Sequence, residues 1–274
     1  MTQTIAIANQ KGGVGKTTSC VNLAASLATF GKRVLLVDSD PQGNATMGCG
    51  IDKNAVDLTL NEVLLQGIDP TLAIVRADLP RFDVIPSNSH LTQAEVQLLN
   101  LPQRELRLRQ SLAKIQAQYD YILIDCPPSL NMLTIDALVA AQSVLVPMQC
   151  EYYSLEGLSD LLETLESIKK SANPTLRIEG ILRTMYDGRN RLTLEVSEQL
   201  IQYFPHQVYR TVIPRNIRLA EAPSFGLPAL LYDKKSQGAA AYIALAGEMI
   251  RRIEEGVITQ PDLEEFELEN EDGR

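Results

Sequence analysis

The amino-acid sequence predicts an α/β fold with a mostly parallel, twisted sheet and helices on both faces. Short apolar runs alternate with longer segments of helical apolar spacing nearly from end to end, which is typical of such a sheet. The chain has 274 residues, of which 45% are hydrophobic and 22% charged. These values exclude collagen-like, disulfide-rich and wholly disordered chains. Folds of this class and length often form one domain, and we expect one here.

The elements follow in order from the apolar pattern. Buried strands are expected where short apolar runs are bounded by turn residues, at residues 4–8, 33–37, 82–85, 121–124 and 143–147. Weaker strand candidates are residues 177–182, 208–213 and 229–231. Helical spacing covers residues 16–30, 91–116, 134–141, 154–171, 192–202 and 238–255. We expect Pro102, Gly157 and Pro174 to interrupt elements without separating domains.

The acidity of the chain is concentrated at its C-terminus. The formal net charge is −9, and residues 254–274 alone carry nine acids and one base. The rest of the chain is therefore nearly neutral. Acid-rich segments with few apolar residues are typical of disorder. We expect one domain over residues 1–255 and an acidic, disordered tail over residues 256–274.

The sequence predicts neither a metal–thiolate centre nor a membrane segment. No zinc or iron–sulfur spacing can be assembled from the cysteines and histidines, which are Cys20, Cys49, Cys126, Cys150, His90 and His206. The longest apolar stretch, residues 133–148, contains Asp136 and Gln142 and is too short to span a bilayer. The first residues carry no basic leader. We therefore expect a cytoplasmic protein whose cysteines are buried free thiols.

The strongest motif is a glycine-rich loop between the first predicted strand and the first predicted helix. Residues 11–18 read KGGVGKTT. The glycines let backbone N–H groups turn toward phosphate oxygens, and the following helix adds the positive end of its dipole. In such a P-loop, Lys16 bridges the β- and γ-phosphates and Thr17 gives its hydroxyl to Mg²⁺. The predicted nucleotide-binding residues of this loop are Gly12, Gly13, Val14, Gly15, Lys16, Thr17 and Thr18.

The loop departs from the ordinary P-loop pattern, G-x-x-x-x-G-K-[ST]. Gln10 occupies the first glycine position, and an additional lysine, Lys11, opens the loop. This variant resembles the deviant Walker A ATPases, and within them the ParA/Soj chromosome- and plasmid-partitioning proteins. The resemblance covers residues 3–250 in ordered blocks, among them ANQKGGVGKTT (8–18), VDSDPQGNAT (37–46), YILIDCPPSL (121–130), TMYDGRNRLTLEVSEQL (184–200) and the segment 211–242. It implies an ATP hydrolase of weak intrinsic activity that uses ATP and Mg²⁺.

Carboxylates follow two of the predicted strands. Asp125 ends the strand YILID at the Walker B position, where a carboxylate approaches hydrated Mg²⁺. The alternative is an acid that caps the turn at Pro127. Asp38 and Asp40 end the second strand, and residues two apart on a strand face the same side. By resemblance, Asp40 orients or deprotonates the attacking water, whereas Asp38 is either a supporting partner or a turn-forming acid.

The resemblance assigns further roles in the loop. It implies that Lys11 reaches across an ATP-bound homodimer to the phosphates of the partner subunit, supplying positive charge where negative charge develops. Gly12 would then lie in the tight interface, so that Gly12→Val should bind ATP without forming the dimer. The predicted catalytic residues are Lys11, Lys16 and Asp40, and the predicted metal-site residues are Thr17, Asp40 and Asp125.

An arginine-rich stretch lies between residues 177 and 218. It contains seven arginines and four acids. Taken alone, such arginines are solvated or salt-bridged. The resemblance instead favours a surface that binds double-stranded DNA non-specifically through phosphate contacts, formed by Arg189, Arg191, Arg215 and Arg218. If helical, Arg215 and Arg218 share a face. Pro214 and Arg215 also match a loop that lies near adenine in relatives, so the role of Arg215 stays open.

The resemblance further implies a ParB-type centromere-binding protein that stimulates hydrolysis, and a nucleoid-associated location. Residues 1–10 contain no basic residue, so the contacts with such a partner are unassigned. Three other functions fit the sequence less well. A MinD-like membrane ATPase needs a basic amphipathic C-terminal helix, but only Arg251 and Arg252 precede the acidic tail. A nitrogenase-reductase-like electron carrier needs paired cysteines. Asp40 and Asp125 argue against a nucleotide-binding adaptor that does not hydrolyse.

Overall fold

Seven strands form a single sheet in the computed structural model, which describes residues 2–77 and 82–256. The strands are β1 (Gln3–Ile7), β2 (Val34–Asp38), β3 (Val75–Ala77), β4 (Phe82–Ile85), β5 (Tyr121–Asp125), β6 (Ser143–Gln149) and β7 (Arg177–Thr184). Their order across the sheet is β3-β4-β2-β5-β1-β6-β7. All neighbouring pairs are parallel except β3 and β4. The predicted fold class is therefore confirmed.

Helices connect the parallel strands. The described residues form α1 (Lys16–Thr29), α2 (Asn44–Gly48), α3 (Leu60–Gln66), α4 (Leu91–Leu98), α5 (Arg107–Ala113), α6 (Met132–Ala140), α7 (Ser154–Ser171), α8 (Arg191–Tyr203), α9 (Ile217–Glu221), α10 (Ala229–Tyr232) and α11 (Gln237–Glu254). Several of these helices begin after an N-cap residue, whose side chain accepts a hydrogen bond from a backbone N–H of the first turn. Asn190, for example, accepts a hydrogen bond from the backbone N–H of Leu192 at the start of α8.

The helices cover both faces of the sheet. Alternate residues of a strand point to opposite faces, and β5 divides its side chains accordingly. Ile122 and Ile124 pack into the apolar layer that contains α3 to α8. Tyr121 and Leu123 pack into the layer that contains α1 and α11. Because both faces are buried, the strands read as continuous apolar runs in the sequence.

Three of the predicted elements differ in the structure. Residues 208–213 form no strand: Val208 makes one isolated bridge to Ile181, beside β7. Residues 229–231 are helical, in α10. The helical pattern 91–116 is divided into α4 and α5, since the chain turns at Pro102 and Gln103 has a left-handed φ of 52°. Gly157 lies inside α7 and does not interrupt it.

The topology fixes where a ligand can bind. The chain passes from β1 through α1 to β2, which lies to one side of β1 in the strand order. Strand β6 lies on the other side of β1. This change of direction opens a crevice at the carboxyl ends of the central strands, where parallel α/β proteins bind ligands. The loop after β1 lies at this crevice.

The remaining expectations concern the ends and the thiols. The predicted acidic tail lies, apart from Gly256, outside the described residues. All four cysteines are buried and free of disulfide bonds, as expected. Among the residues that the structure describes, no helix is both long and apolar enough to cross a membrane.

Candidate functional site

The loop between β1 and α1 has the backbone conformation that its glycines permit. Gly13 and Gly15 have left-handed φ values of 75° and 89°, which other residues rarely adopt. Gly15 is the N-cap of α1, so the first turn of the helix faces the loop. The unpaired N–H groups of that turn and the helix dipole favour an anion at this position.

Three side chains from outside the loop hold its backbone. Asn9 accepts a hydrogen bond from the N–H of Lys11 at 2.9 Å. Thr184, the last residue of β7, donates its hydroxyl to the carbonyl oxygen of Val14 at 2.8 Å. Gln149, the last residue of β6, donates to the carbonyl oxygen of Gly13 at 3.3 Å. The carboxyl ends of β6 and β7 therefore fix the shape of the loop.

Lys16 is the charged group at the centre of the loop. It is only 7% exposed, and its Nζ donates to the carbonyl oxygen of Lys11 at 3.0 Å. Burial lowers the pKa of Lys16, while the nearby carboxylate of Asp125 opposes this effect. A lysine in such a position can exchange its backbone contact for a phosphate oxygen at little cost in desolvation.

Asp125 lies at the carboxyl end of β5 and is completely buried. The described residues give neither of its carboxylate oxygens a hydrogen bond of regular geometry, although the Thr17 hydroxyl is close enough to lower the pKa of Asp125. Burial and then the neighbouring Asp38 outweigh that effect and raise the pKa of Asp125 well above its ordinary value. A buried carboxylate without partners is unfavourable unless a cation compensates it.

Asp38 and Asp40 play different parts at the end of β2. Asp38 pairs in register with Asp125 and is completely buried. Its Oδ2 accepts from the backbone N–H and the hydroxyl of Thr46, at 2.8 and 2.7 Å, and its Oδ1 accepts from the N–H of Asp40. Burial raises the pKa of Asp38 to about 6. Asp38 thus fixes the segment that carries Asp40. Because both of its carboxylate oxygens accept these hydrogen bonds, they are not free to contact a ligand at the phosphate loop.

The carboxylate of Asp40 is less engaged. Its Oδ1 accepts from the N–H of Gln42 at 2.9 Å, and its backbone oxygen accepts from the Ser87 hydroxyl at 2.7 Å. The residue is 8% exposed. The charge of Asp40 adds to the raised pKa of Asp125 and, after Asp125, partly opposes the lowering of the pKa of Lys16 by burial.

A cavity of about 250 Å³ adjoins the loop. Gly15 and Thr18 form one side, while Pro214 and Arg215 form another. Met185, whose φ of 48° is left-handed, also lines it. The structure therefore brings the two residues predicted near the base to the loop, with mainly apolar surroundings that suit a nucleobase.

Lys11 and Gly12 lie on the open side of the loop. The Nζ of Lys11 contacts Oε2 of Glu151 at 2.7 Å, and the two side chains are 42% and 51% exposed. A Cβ built on Gly12 meets no atom within 4 Å, and its φ is not left-handed. The subunit itself therefore has room for a side chain at position 12.

All four predicted DNA-binding arginines are exposed, and three of them, Arg189, Arg191 and Arg218, are paired with acids. Arg189 and Arg191 have side chains 91% and 92% exposed, bound to Asp187 and Glu195. The hydrogen bond from Arg189, with a smaller effect from Arg215, lowers the pKa of Asp187 to about 2.

One condition of the arginine prediction is not met. Arg215 and Arg218 do not share a helix, because α9 begins at Ile217 after the cap Asn216. Arg218 is paired instead with Glu221 and Asp233. Arg183 is 7% exposed and donates to Ser197 and to backbone oxygens, so it adds no charge to the surface.

The sequence prediction missed the residues that support the loop. The loop backbone is held by Asn9, Gln149 and Thr184. Thr46 holds Asp38, and Glu151 pairs with Lys11. The only available signal was position: Gln149 and Thr184 end strands on the side of the sheet where the loop lies. Their partners depend on strand register, which the apolar pattern does not fix.

The glycine loop, buried Lys16 and unpartnered Asp125 at the switch point of the sheet define a P-loop NTPase-like protein. Residues 2–178 match the family model described as an AAA domain. The chain is 53% identical over 249 residues to the sporulation initiation inhibitor protein Soj of Bacillus subtilis, covering 91% of this chain and 98% of that protein. It is 51% identical over 248 residues to the chromosome partitioning protein ParA of Myxococcus xanthus, covering 90% and 88%. The chain belongs to the ParA/Soj family of chromosome-partitioning P-loop ATPases.

Solved structures agree with this assignment. A cobyrinic acid a,c-diamide synthase of Mycobacterium smegmatis, with bound ADP and magnesium, matches with a TM-score of 0.83 and 37% identity over 95% of this chain and 99% of that one. The cell division ATPase MinD of Pyrococcus furiosus matches with a TM-score of 0.76 and 28% identity, over 92% and 99%.

Proposed function

We propose that this protein is an ATP-dependent DNA-partitioning ATPase. Mg–ATP joins two copies in a sandwich dimer, the dimer binds double-stranded DNA without sequence preference, and slow hydrolysis, stimulated by a ParB-type partner, releases the DNA. One observation carries the proposal: a phosphate loop whose second lysine, Lys11, lies on its exposed side, in a chain of this family.

The donor set fits Mg²⁺. Asp125 offers two buried carboxylate oxygens without regular hydrogen bonds, and the hydroxyl of Thr17 lies beside them. Hard oxygen ligands of this kind are those that Mg²⁺ prefers. Thr17 and Asp125 would hold the ion, with Asp40 nearby. When bound, Mg²⁺ supplies positive charge to the β- and γ-phosphate oxygens.

The remaining roles in binding and hydrolysis are assigned to groups of the protein. Lys16 leaves the carbonyl oxygen of Lys11 and binds the β- and γ-phosphates, helped by the N–H groups of residues 12–18. Asp40 orients the attacking water. Asp38 keeps Asp40 in position through its hydrogen bond to the Asp40 N–H. The cavity walled by Pro214 and Arg215 accepts the adenine.

Dimerisation makes the γ-phosphate a signal. Two facing sites that each hold a highly charged nucleotide repel each other, and Lys11 of each copy supplies a cation to the other. The open space around Gly12 supports close approach of a second copy at this point. A ligand shifts such an equilibrium only by its differential affinity for the two states, so ATP and ADP must differ in this contact.

DNA binding is assigned to Arg189, Arg191, Arg215 and Arg218. Their exposure supports phosphate contacts, which require no base reading. An arginine that is paired with an acid must leave that acid before it can contact a DNA phosphate. We therefore expect the free subunit to bind DNA weakly. Doubling the surface in the dimer multiplies the number of phosphates neutralised. The location that follows is cytoplasmic and nucleoid-associated.

The test compares DNA binding by the whole chain in ADP, ATP and a non-hydrolysable ATP analogue, with Asp40→Ala alongside. We expect tight binding in the analogue, and in ATP for Asp40→Ala, with weak binding in ADP. Release of phosphate in the presence of DNA, lost in Asp40→Ala, separates an ATPase from a nucleotide-binding adaptor. Binding in ADP as tight as that in ATP would remove the nucleotide switch.

A further inference from the structure

The only side-chain partner of Lys11 that the described residues provide is the carboxylate of Glu151, at 2.7 Å. The backbone of Lys11 is fixed from both sides. Its N–H is held by Asn9, and its carbonyl oxygen accepts from Lys16. The side chain of Lys11 is therefore the part of this residue that can reach a second copy.

Glu151 is placed beside the loop by the backbone. It follows β6, whose Gln149 contacts the loop at Gly13, and its own N–H bonds to the carbonyl oxygen of Gln149 at 3.0 Å. The N–H of Ser154, the first residue of α7, then bonds to the carbonyl oxygen of Glu151 at 3.0 Å. The turn between β6 and α7 thus fixes an acid at the rim of the phosphate loop.

We infer that the Lys11–Glu151 ion pair opposes assembly of the ATP-bound dimer, by holding within each subunit the cation that the other subunit requires. This inference rests on the proposed function. In this inference, Nζ of Lys11 moves away from Glu151 of its own chain to reach a phosphate of the partner, and the pair breaks when two copies meet. Glu151 therefore raises the concentration of protein at which ATP produces dimers.

The size of the effect follows from the exposure of the pair. Half-exposed ion pairs change an equilibrium by about 1.4- to 5-fold. Two pairs break in each dimer, which multiplies to about 2- to 30-fold in the dimer dissociation constant. The effect is large enough to measure and small enough for the γ-phosphate contact to overcome.

The experiment measures the dimer dissociation constant of the whole chain by sedimentation with a non-hydrolysable ATP analogue. Glu151→Gln should tighten the dimer about 2- to 30-fold. Glu166→Gln, which removes the half-buried pair with Lys169 on α7, is the matched control and should leave the dimer unchanged. Lys11→Gln should stay monomeric with or without Glu151→Gln, because the cation that the partner requires is then absent. An unchanged or weaker dimer in Glu151→Gln overturns the inference.

A second readout is independent of the dimer. Without nucleotide, Glu151→Gln should increase the acylation rate of Lys11, followed at that residue by mass spectrometry, about 1.4- to 5-fold. Unchanged acylation together with an intact ATP-dependent dimer rejects the ion pair alone. Faster acylation with no dimer of the wild-type chain in any nucleotide rejects the proposed dimer, and with it the role given to Glu151.

Discussion

Gly12 and Gly13 are neighbours in the loop, yet the structure gives them different constraints. A Cβ on Gly12 would meet no atom of its own subunit, and its backbone is not left-handed. Gly13 has a φ of 75°, which strains any other residue. In the proposed dimer, a substitution at Gly12 therefore tests the contact with the second copy, whereas one at Gly13 tests the loop itself.

Gly12→Val should bind ATP within about 2-fold of the wild-type affinity, because the subunit has room for the side chain. It should form no ATP-dependent dimer, because that space is filled by the partner. Nucleotide titration and sedimentation measure the two effects. Gly13→Val is the control and should weaken ATP binding about 5- to 30-fold through backbone strain. An ATP-dependent dimer of Gly12→Val would show that Gly12 lies outside the interface.

Among individual residues, the sequence predicted those in the motifs and did not predict those that support the motifs. Lys16 and Asp125 were predicted because the chemistry of phosphate and Mg²⁺ specifies their types and spacing. Thr184 and Glu151 carry no such specification. Their contacts arise from the positions at which strands β6 and β7 end beside the loop.

The end of β7 supports the phosphate loop from outside. Thr184 donates to the carbonyl oxygen of Val14, and the next residue, Met185, has a left-handed φ and lines the adjoining cavity. Tyr186 then bonds to Ile213, next to Pro214. One short segment therefore links the loop, the cavity and the residues that precede Arg189.

Thr184→Val removes the hydroxyl while keeping a β-branched side chain of similar volume. It should weaken ATP binding about 2- to 10-fold, because the Val14 carbonyl oxygen loses its donor and the loop is less well fixed. Titration with a fluorescent ATP analogue measures this. Thr184→Ser keeps the hydroxyl and should bind nearly as the wild type does. Equal affinity of the valine and serine variants would contradict the supporting role.

Helices α5 and α6 meet at a buried carboxyl group. Asp136 of α6 accepts from the N–H of Leu108 at the start of α5, and its other oxygen has no partner. Burial raises the pKa of Asp136 to about 7, opposed by the Leu108 N–H and then by Arg107. The folded protein thus holds this proton more tightly than the unfolded chain, so stability falls as pH rises between the two pKa values.

Between pH 6 and pH 8 this group should cost the wild type about 1 kcal/mol of unfolding free energy. Asp136→Asn keeps an acceptor for Leu108 but cannot ionise, so its stability should change less over the same range. Urea unfolding of both proteins at both pH values gives the difference. An identical pH dependence in the two would show that Asp136 does not titrate there.

The pattern of elements was predicted well where strands are buried on both faces and poorly near the base cavity. Residues 208–213 lie along β7, but the Arg183 guanidinium donates to the carbonyl oxygens of Tyr209 and Arg210, where a strand would bond to backbone. Residues 229–231 form a short apolar run, which fits a strand or a helical turn equally, and Pro228 begins the turn. The apolar pattern contains neither the Arg183 contacts nor the choice between a short strand and a helical turn.

Across the whole molecule, several of the basic side chains that are proposed to bind phosphate already form ion pairs with acids of the same chain. Phosphate binding must therefore compete with these ion pairs. The exposed arginines contact Asp187, Glu195 and Glu221, and Lys11 contacts Glu151. In the proposed function, assembly and DNA binding would each exchange a carboxylate partner for a phosphate. Such exchanges are individually weak and become effective when a dimer makes several at once.

DNA affinity of the ATP-bound dimer should depend steeply on salt. With two arginines of each subunit on phosphates, about 4 charges are neutralised, and the slope of log affinity against log salt is about −3.6. Arg189→Ala should make the slope shallower by about 2, because each dimer loses two contacts. Filter binding or anisotropy at several salt concentrations measures it. A salt-independent affinity, or a strong preference for one sequence, would contradict the phosphate surface.

The central claim is that the γ-phosphate of ATP is shared between two copies of this chain through Lys11. Sedimentation velocity of Asp40→Ala with ATP, compared with ADP, tests it most directly, because the triphosphate then persists. We predict dimers in ATP and monomers in ADP, and monomers in both when Lys11→Ala is added. A monomer in ATP, or a dimer that survives loss of the Lys11 side chain, would contradict the claim.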